Sequence, residues 1–153
     1  MPPDKLDTLV AGERISESTP KLTDTRRKAR FISIQSLYEN EMSGVDINIV
    51  TERLLNDENL SKKDQTLCRK IIKTIEKNSN LIDEKISNAT LGFDLIEMSS
   101  IDRNCLRVAF AESLFNHPPP NAVIINEAIE IASYLGSDSS GSLINGILAT
   151  LLL

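Results

Sequence analysis

Thr25 to Gly44, TRRKARFISIQSLYENEMSG, joins a cluster of cations to an apolar face of helical period, and its reading decides the fold class. Phe31, Ile34, Tyr38 and Met42 recur at spacings of three and four with Leu37 beside them, which predicts a helix with one buried side. Arg26, Arg27 and Arg30 lie over the N-terminal end of that face, and Lys28 points elsewhere. Cations in a first helical turn face the positive end of the macrodipole and are each disfavoured by about 0.3–1 kcal/mol at an exposed site. Two readings explain four of them together. Helix amides and arginine forks both suit phosphate oxygens, so an anion could occupy the site. Alternatively the cluster is a solvated basic face. On either reading, removing Arg27 or Arg30 is expected to leave the fold intact.

Moving outward, every element reads as helix. Asp24 or Thr25 is the expected cap of the first helix, and Ile47, Val50 and Leu54 mark a second behind Asp46. Asn56 to Leu60 reads as a loop. Ser61 and Asp64 approximate a capping box ahead of Cys68, Ile71, Ile72, Ile75, Ile82 and Ile86, a long helix broken near Asn78 and stopped by Gly92. Ser99 and Asp102 repeat the cap before Ile101, Cys105, Val108 and Ala109, and Arg103 and Arg107 can pair with nearby carboxylates. Pro118, Pro119 and Pro120 force a corner, with Pro120 placed to begin the next helix. Ile124, Ile125, Ala128, Ile131, Ala132 and Leu135 fill its inner face up to Gly136, and Leu143, Ile144, Ile147, Leu148 and Leu151 form the last. No stretch reads as a strand, with apolar and polar residues alternating and β-branched enrichment, so the expected fold class is all-α. Residues 1–24 mix Pro, Ser, Thr, Asp and Lys without a sustained period and read as a mobile arm ahead of one helical domain, 25–153.

The chain of 153 residues is long enough to bury a core without metal or disulfide. Its net charge of −5 argues against a general nucleic-acid binder. The charge is segregated, however: residues 26–30 carry +4 and 61–77 carry +4, against −5 over 31–60, which permits a local phosphate-binding face. The basic residues of 61–77, Lys62, Lys63, Arg69, Lys70, Lys73 and Lys77, fall mostly off the apolar stripe and read as a solvated face more readily than as a ligand site. Cys68 and Cys105 sit singly in apolar patterns, as buried thiols do. With no membrane-length apolar run and no apolar signal core, a cytoplasmic location is expected.

Catalytic patterns are missing. GSDSSGS at Gly136 to Ser142 lacks the lysine and the preceding strand of a phosphate-binding loop. His117, the sole histidine, lies at the proline corner, where a solvent-facing side chain is expected. Caps account for Asp64 and Asp102. No cofactor is implied.

Three stretches together, RRKARFISIQSLYENEMSG at 26–44, SSIDRNCLRVAFAESLF at 99–115 and PNAVIINEAIEIASYLGSDSSGSLINGIL at 120–148, resemble the NusB family of transcription antitermination factors. The resemblance implies a NusB-like two-subdomain helical bundle without catalysis. It implies binding of boxA-type single-stranded RNA from ribosomal RNA transcripts together with the small-subunit ribosomal protein NusE, within the transcription elongation complex. By similarity, Arg26, Arg27, Lys28 and Arg30 match the family's basic RNA-binding N-terminus. Ser139, Ser142, Leu143 and Asn145 match a second RNA-contacting region, and Tyr38, Glu97 and Asp102 the NusE-facing surface.

Two departures stand out: the family usually carries a basic residue and a Phe where this chain has Ser142 and Leu143. A lost cation removes a phosphate contact, and a lost aromatic a stacking surface worth about 1–3 kcal/mol per base. Phe31 and Ser133 likewise replace the common Glu and Lys. The alternative function is therefore a protein-interaction module of the same fold with weak RNA affinity of its own. A third, an RNA-modifying enzyme, would need a cofactor-binding domain beyond the helical one.

Overall fold

The computed structural model describes residues 25–90, 92 and 94–153, so the expected arm of residues 1–24 lies outside the described residues. Among them are seven α-helices and no strand: α1 Thr25–Ser43, α2 Ile47–Asp57, α3 Lys62–Lys77, α4 Ser79–Ala89, α5 Ser100–Ser113, α6 Asn121–Leu135 and α7 Ser140–Leu152, with a 3-10 turn at Leu95–Glu97. The all-α expectation holds.

The boundaries follow local chemistry. Gly44, at φ 76°, ends α1 in the left-handed region that favours glycine. Asp46 then accepts from the amides of Asn48 and Ile49. Ser61 and Ser99 each accept from the amide three residues on, Asp64 and Asp102, which caps α3 and α5. Asn78 divides α3 from α4 where the sequence marks a break. Pro120 is the N-cap of α6, its carbonyl accepting from the Ile124 amide at 3.1 Å. The loop expected from Asn56 is shorter, because α2 continues to Asp57.

The first helix departs from its expected stripe. Phe31, Ile34 and Leu37 are buried, but Tyr38 is 41% and Met42 59% exposed. Burial shifts instead to a second side, where Ala29, Ser33 and Ser36 are small enough for neighbours to approach. The hydroxyls of Ser33 and Ser36 donate back to the carbonyls of Ala29 and Ile32 at 2.9 and 2.8 Å, so no polar group is stranded. The helix is thus enclosed through its centre and emerges at its end.

Helices α1, α2 and α3 pack on one another, while α5 is flanked by α1, α3, α4, α6 and α7. Apart from Val50, the buried apolar residues among those described form one continuous cluster, so the two halves share a core. Cys105, Leu106, Val108, Ala109 and Ala111 make α5 the centre of it. Burial pushes the Cys68 thiol up to about 11 and that of Cys105 higher still, so both stay protonated at neutral pH. No helix among the described residues is long and apolar enough to cross a membrane.

Candidate nucleic-acid interface

The cation cluster at the start of α1 splits into two kinds of residue. Arg27 is 2% and Arg30 6% exposed, whereas Arg26 and Lys28 are only partly buried. Arg27 donates from Nε and Nη2 to the two carboxylate oxygens of Glu127 in α6, at 2.8 and 2.6 Å. Arg30 makes the same fork with Glu112 in α5, at 2.7 and 3.0 Å, and its Nη1 lies 3.5 Å from Glu127. Two guanidinium groups therefore face two carboxylates across three helices. This burial overturns the sequence reading that placed Arg27 and Arg30 on an open phosphate site. Their charge is spent inside the protein, and the planar bidentate geometry explains why arginine stands there. A signal was available, since Arg27, Arg30, Ile34 and Leu37 follow one another at spacings of three, four and three on the buried face.

Helix α6 links this end of α1 to the second predicted region. Glu127 binds Arg27, and two turns later the Tyr134 ring meets Phe31 edge-on at 6.2 Å between centroids. Gly136 then closes α6. A Cβ there would fall 2.3 Å from Ser140 Oγ and 2.9 Å from the Ala132 carbonyl, so only glycine fits this approach. Ser140 Oγ in turn accepts from the Ser137 amide at 2.9 Å, which sets the start of α7. Ser139, Ser142 and Asn145 are exposed along that start, but Leu143 is partly buried and packs against the core.

The residues matched to a protein partner are more scattered in environment. Tyr38 is exposed on the emerging end of α1, and Glu97 is exposed in the 3-10 turn, where it accepts from the Asp94 amide at 3.3 Å. Asp102 is 7% exposed, and among the described residues its Oδ1 has no hydrogen-bond partner. The capping role considered for Asp102 belongs to Ser99, whose hydroxyl receives the Asp102 amide.

One charged cluster joins α1, α4 and α5 near these residues. Glu41 accepts from Ser100 Oγ at 2.8 Å, Arg103 Nε at 3.1 Å, Asn104 Nδ2 at 3.1 Å and Arg107 Nη1 at 2.9 Å. Arg107 also forks onto Asp83 at 2.9 and 3.1 Å. Burial alone would raise the Glu41 carboxyl, but the donors from Arg103, Ser100 and Asn104 outweigh it and hold the group at about 2. The pairing expected of Arg103 and Arg107 is realised on this shared carboxylate, which the spacing of the arginines could not identify.

Comparison with known proteins gives a consistent result. Residues 27–152 match the model of the NusB family. The transcription antitermination protein NusB of Dehalococcoides mccartyi is 36% identical over 129 residues, covering 84% of this chain and 90% of that protein. Its namesake in Desulfitobacterium hafniense is 35% identical over 126 residues, covering 81% and 85%. Among solved structures, T. maritima NusB superposes with a TM-score of 0.77 at 35% identity over 87% of this chain and 90% of that one. The antitermination factors NusB and NusE in complex with dsRNA supply a further match of fold alone, with a TM-score of 0.76 at 19% identity, covering 83% and 95%.

Proposed function

The chain belongs to the NusB family, and from that premise we propose that it is a non-catalytic antitermination factor that binds boxA-type single-stranded RNA together with the ribosomal protein NusE. The observation that carries RNA binding is the division of the α1 cations. Arg27 and Arg30 are buried against Glu127 and Glu112 and fix the helix in place, and Arg26 and Lys28 beside them keep part of their surface open to solvent at its amide end. The exposed Ser139, Ser142 and Asn145 supply hydrogen-bonding groups at the far end of α6. Leu143 contributes packing rather than a stacking surface. On the NusE side we assign Tyr38 and Glu97 to the contact, with Asp102 supporting the surface from beneath. The action belongs in the cytoplasm, on the transcription elongation complex.

A second reading, a protein-interaction module of the same fold with weak RNA affinity, is favoured by one specific observation: Arg27 and Arg30 are buried and bonded to carboxylates of the protein itself. A titration of boxA-like RNA into the protein with and without NusE separates the two. Binding by the protein alone, strengthened by NusE, is expected. RNA binding that appears only when NusE is present would give precedence to the interaction module.

A further inference from the structure

The lysines of α3 differ from the arginines in one respect that matters for a polyanion. Arg53, Arg69, Arg103 and Arg107 each pair with a carboxylate, whereas among the described residues no ion pair holds Lys70, Lys73 or Lys77. These three lysines recur at spacings of three and four, on one exposed face about 10 Å long. They border a shallow groove of about 270 Å³ closed on its other side by Leu114, Phe115 and Asn116. Lys70 and Phe115 also line a second depression, of about 500 Å³, to which Arg26, His117 and Pro118 contribute as well. Glu112 and Glu127 reach this depression, but both are already bonded to the buried arginines. At the junction, Lys70 Nζ stands 4.2 Å from the centre of the Phe115 ring, which orders that ammonium between the two grooves.

We propose that this surface is a second RNA site, a phosphate track that receives single-stranded RNA flanking the segment held at Arg26 and Lys28. The inference rests on the RNA-binding reading above and extends it along α3. Charge complementarity selects a polyanion on a protein of net charge −5. Continuity through Arg26 makes it the same strand, and a flexible single strand can lower its backbone into both depressions.

The test compares a boxA-like core RNA with the same RNA extended on its 5′ or 3′ side by about eight uridines, a length single-strand grooves accommodate. For the full chain, one extension should steepen the log–log salt dependence by about 2, because three lysines each contribute about 0.7. The triple variant Lys70→Gln/Lys73→Gln/Lys77→Gln should bind the core RNA as the parent does and lose that increment. Lys62→Gln/Lys63→Gln, on the same helix outside both grooves, should keep it. Thermal unfolding of both variants confirms that each is folded. If the parent binds the core tightly and neither extension adds anything, the lysine face is solvated and the track is refuted. An equal loss from the Lys62 and Lys63 pair would refute it as well, by reducing the effect to general charge. Failure of the parent to bind the core RNA even with NusE would instead remove the RNA-binding reading, and this inference with it.

Discussion

At its N-terminal end α1 sends two arginines into carboxylates from α5 and α6; at its C-terminal end it sends one carboxylate, Glu41, into two arginines of α5. Both arrangements oppose the macrodipole of α1, which favours anions at its start and cations at its end. Partners from other helices override that preference in each case. The two clusters differ in burial. Around Arg30 and Glu112 almost no water has access, with exposures of 6% and 1%, whereas Glu41 and its two arginine partners, Arg103 and Arg107, are partly solvated. A dry pair is hard to break because the surviving charge is stranded; a wet one yields gradually and responds to pH.

The largest effect should therefore come from the dry end. Arg30→Ala leaves the Glu112 carboxylate buried without its fork, and removal of one partner from such a pair costs about 3–5 kcal/mol. Against a total stability of about 5–15 kcal/mol, that is a severe loss, visible as a lower midpoint in chemical denaturation. The double variant Arg30→Met/Glu112→Leu should regain most of it, because similar-sized apolar residues remove both charges together. A parent-like midpoint for Arg30→Ala would erase the distinction between the two ends.

At the wet end the effect is smaller and depends on pH. The Glu41 carboxyl is held at about 2 in the folded protein against an ordinary value of 4.5. A group whose folded value is depressed stabilises the fold above its unfolded value, and that contribution drains away as pH falls through the folded one. Glu41→Gln should thus cost about 1–2 kcal/mol at pH 7, allowing for solvent screening. Between pH 4.5 and 2 the variant and the parent should converge. Denaturation midpoints measured across that window would contradict the assignment if the gap stayed constant.

The helical elements were legible because their signals are local. Asp46, Ser61, Ser99 and the proline corner each act within a few residues of the boundary they set. The two clusters were not, since Arg27 and Arg30 find their carboxylates 100 and 82 residues away. A helical wheel places a guanidinium on a face, yet it cannot say whether that face meets water or another helix. Tyr38 shows the converse: it keeps the apolar period of α1 but lies where the helix leaves its neighbours. Asp102, in the first turn of α5, is 7% exposed, a burial that the capping pattern before it does not reveal.

The smallest effect on stability, and the one that bears most directly on function, concerns Arg26 and Lys28. Both are partly exposed in the first turns of α1 beside a buried pair that already anchors the helix. Arg26→Gln/Lys28→Gln, at two partly buried positions, should lower stability by about 1 kcal/mol or less, far less than Arg30→Ala, with relief of the dipole acting in their favour. If these side chains neutralise two phosphates, the same variant should lower the RNA salt slope by about 1.4. The loss should be the same for boxA and scrambled sequences, because phosphate contacts position a strand without reading its bases. Arg30→Ala would weaken RNA binding together with stability, while this pair would weaken binding alone. That separation is what divides an anchoring cation from a ligand-facing one. Parent-like binding by the Arg26 and Lys28 variant at low salt would leave the start of α1 purely structural and shift the function toward the interaction module.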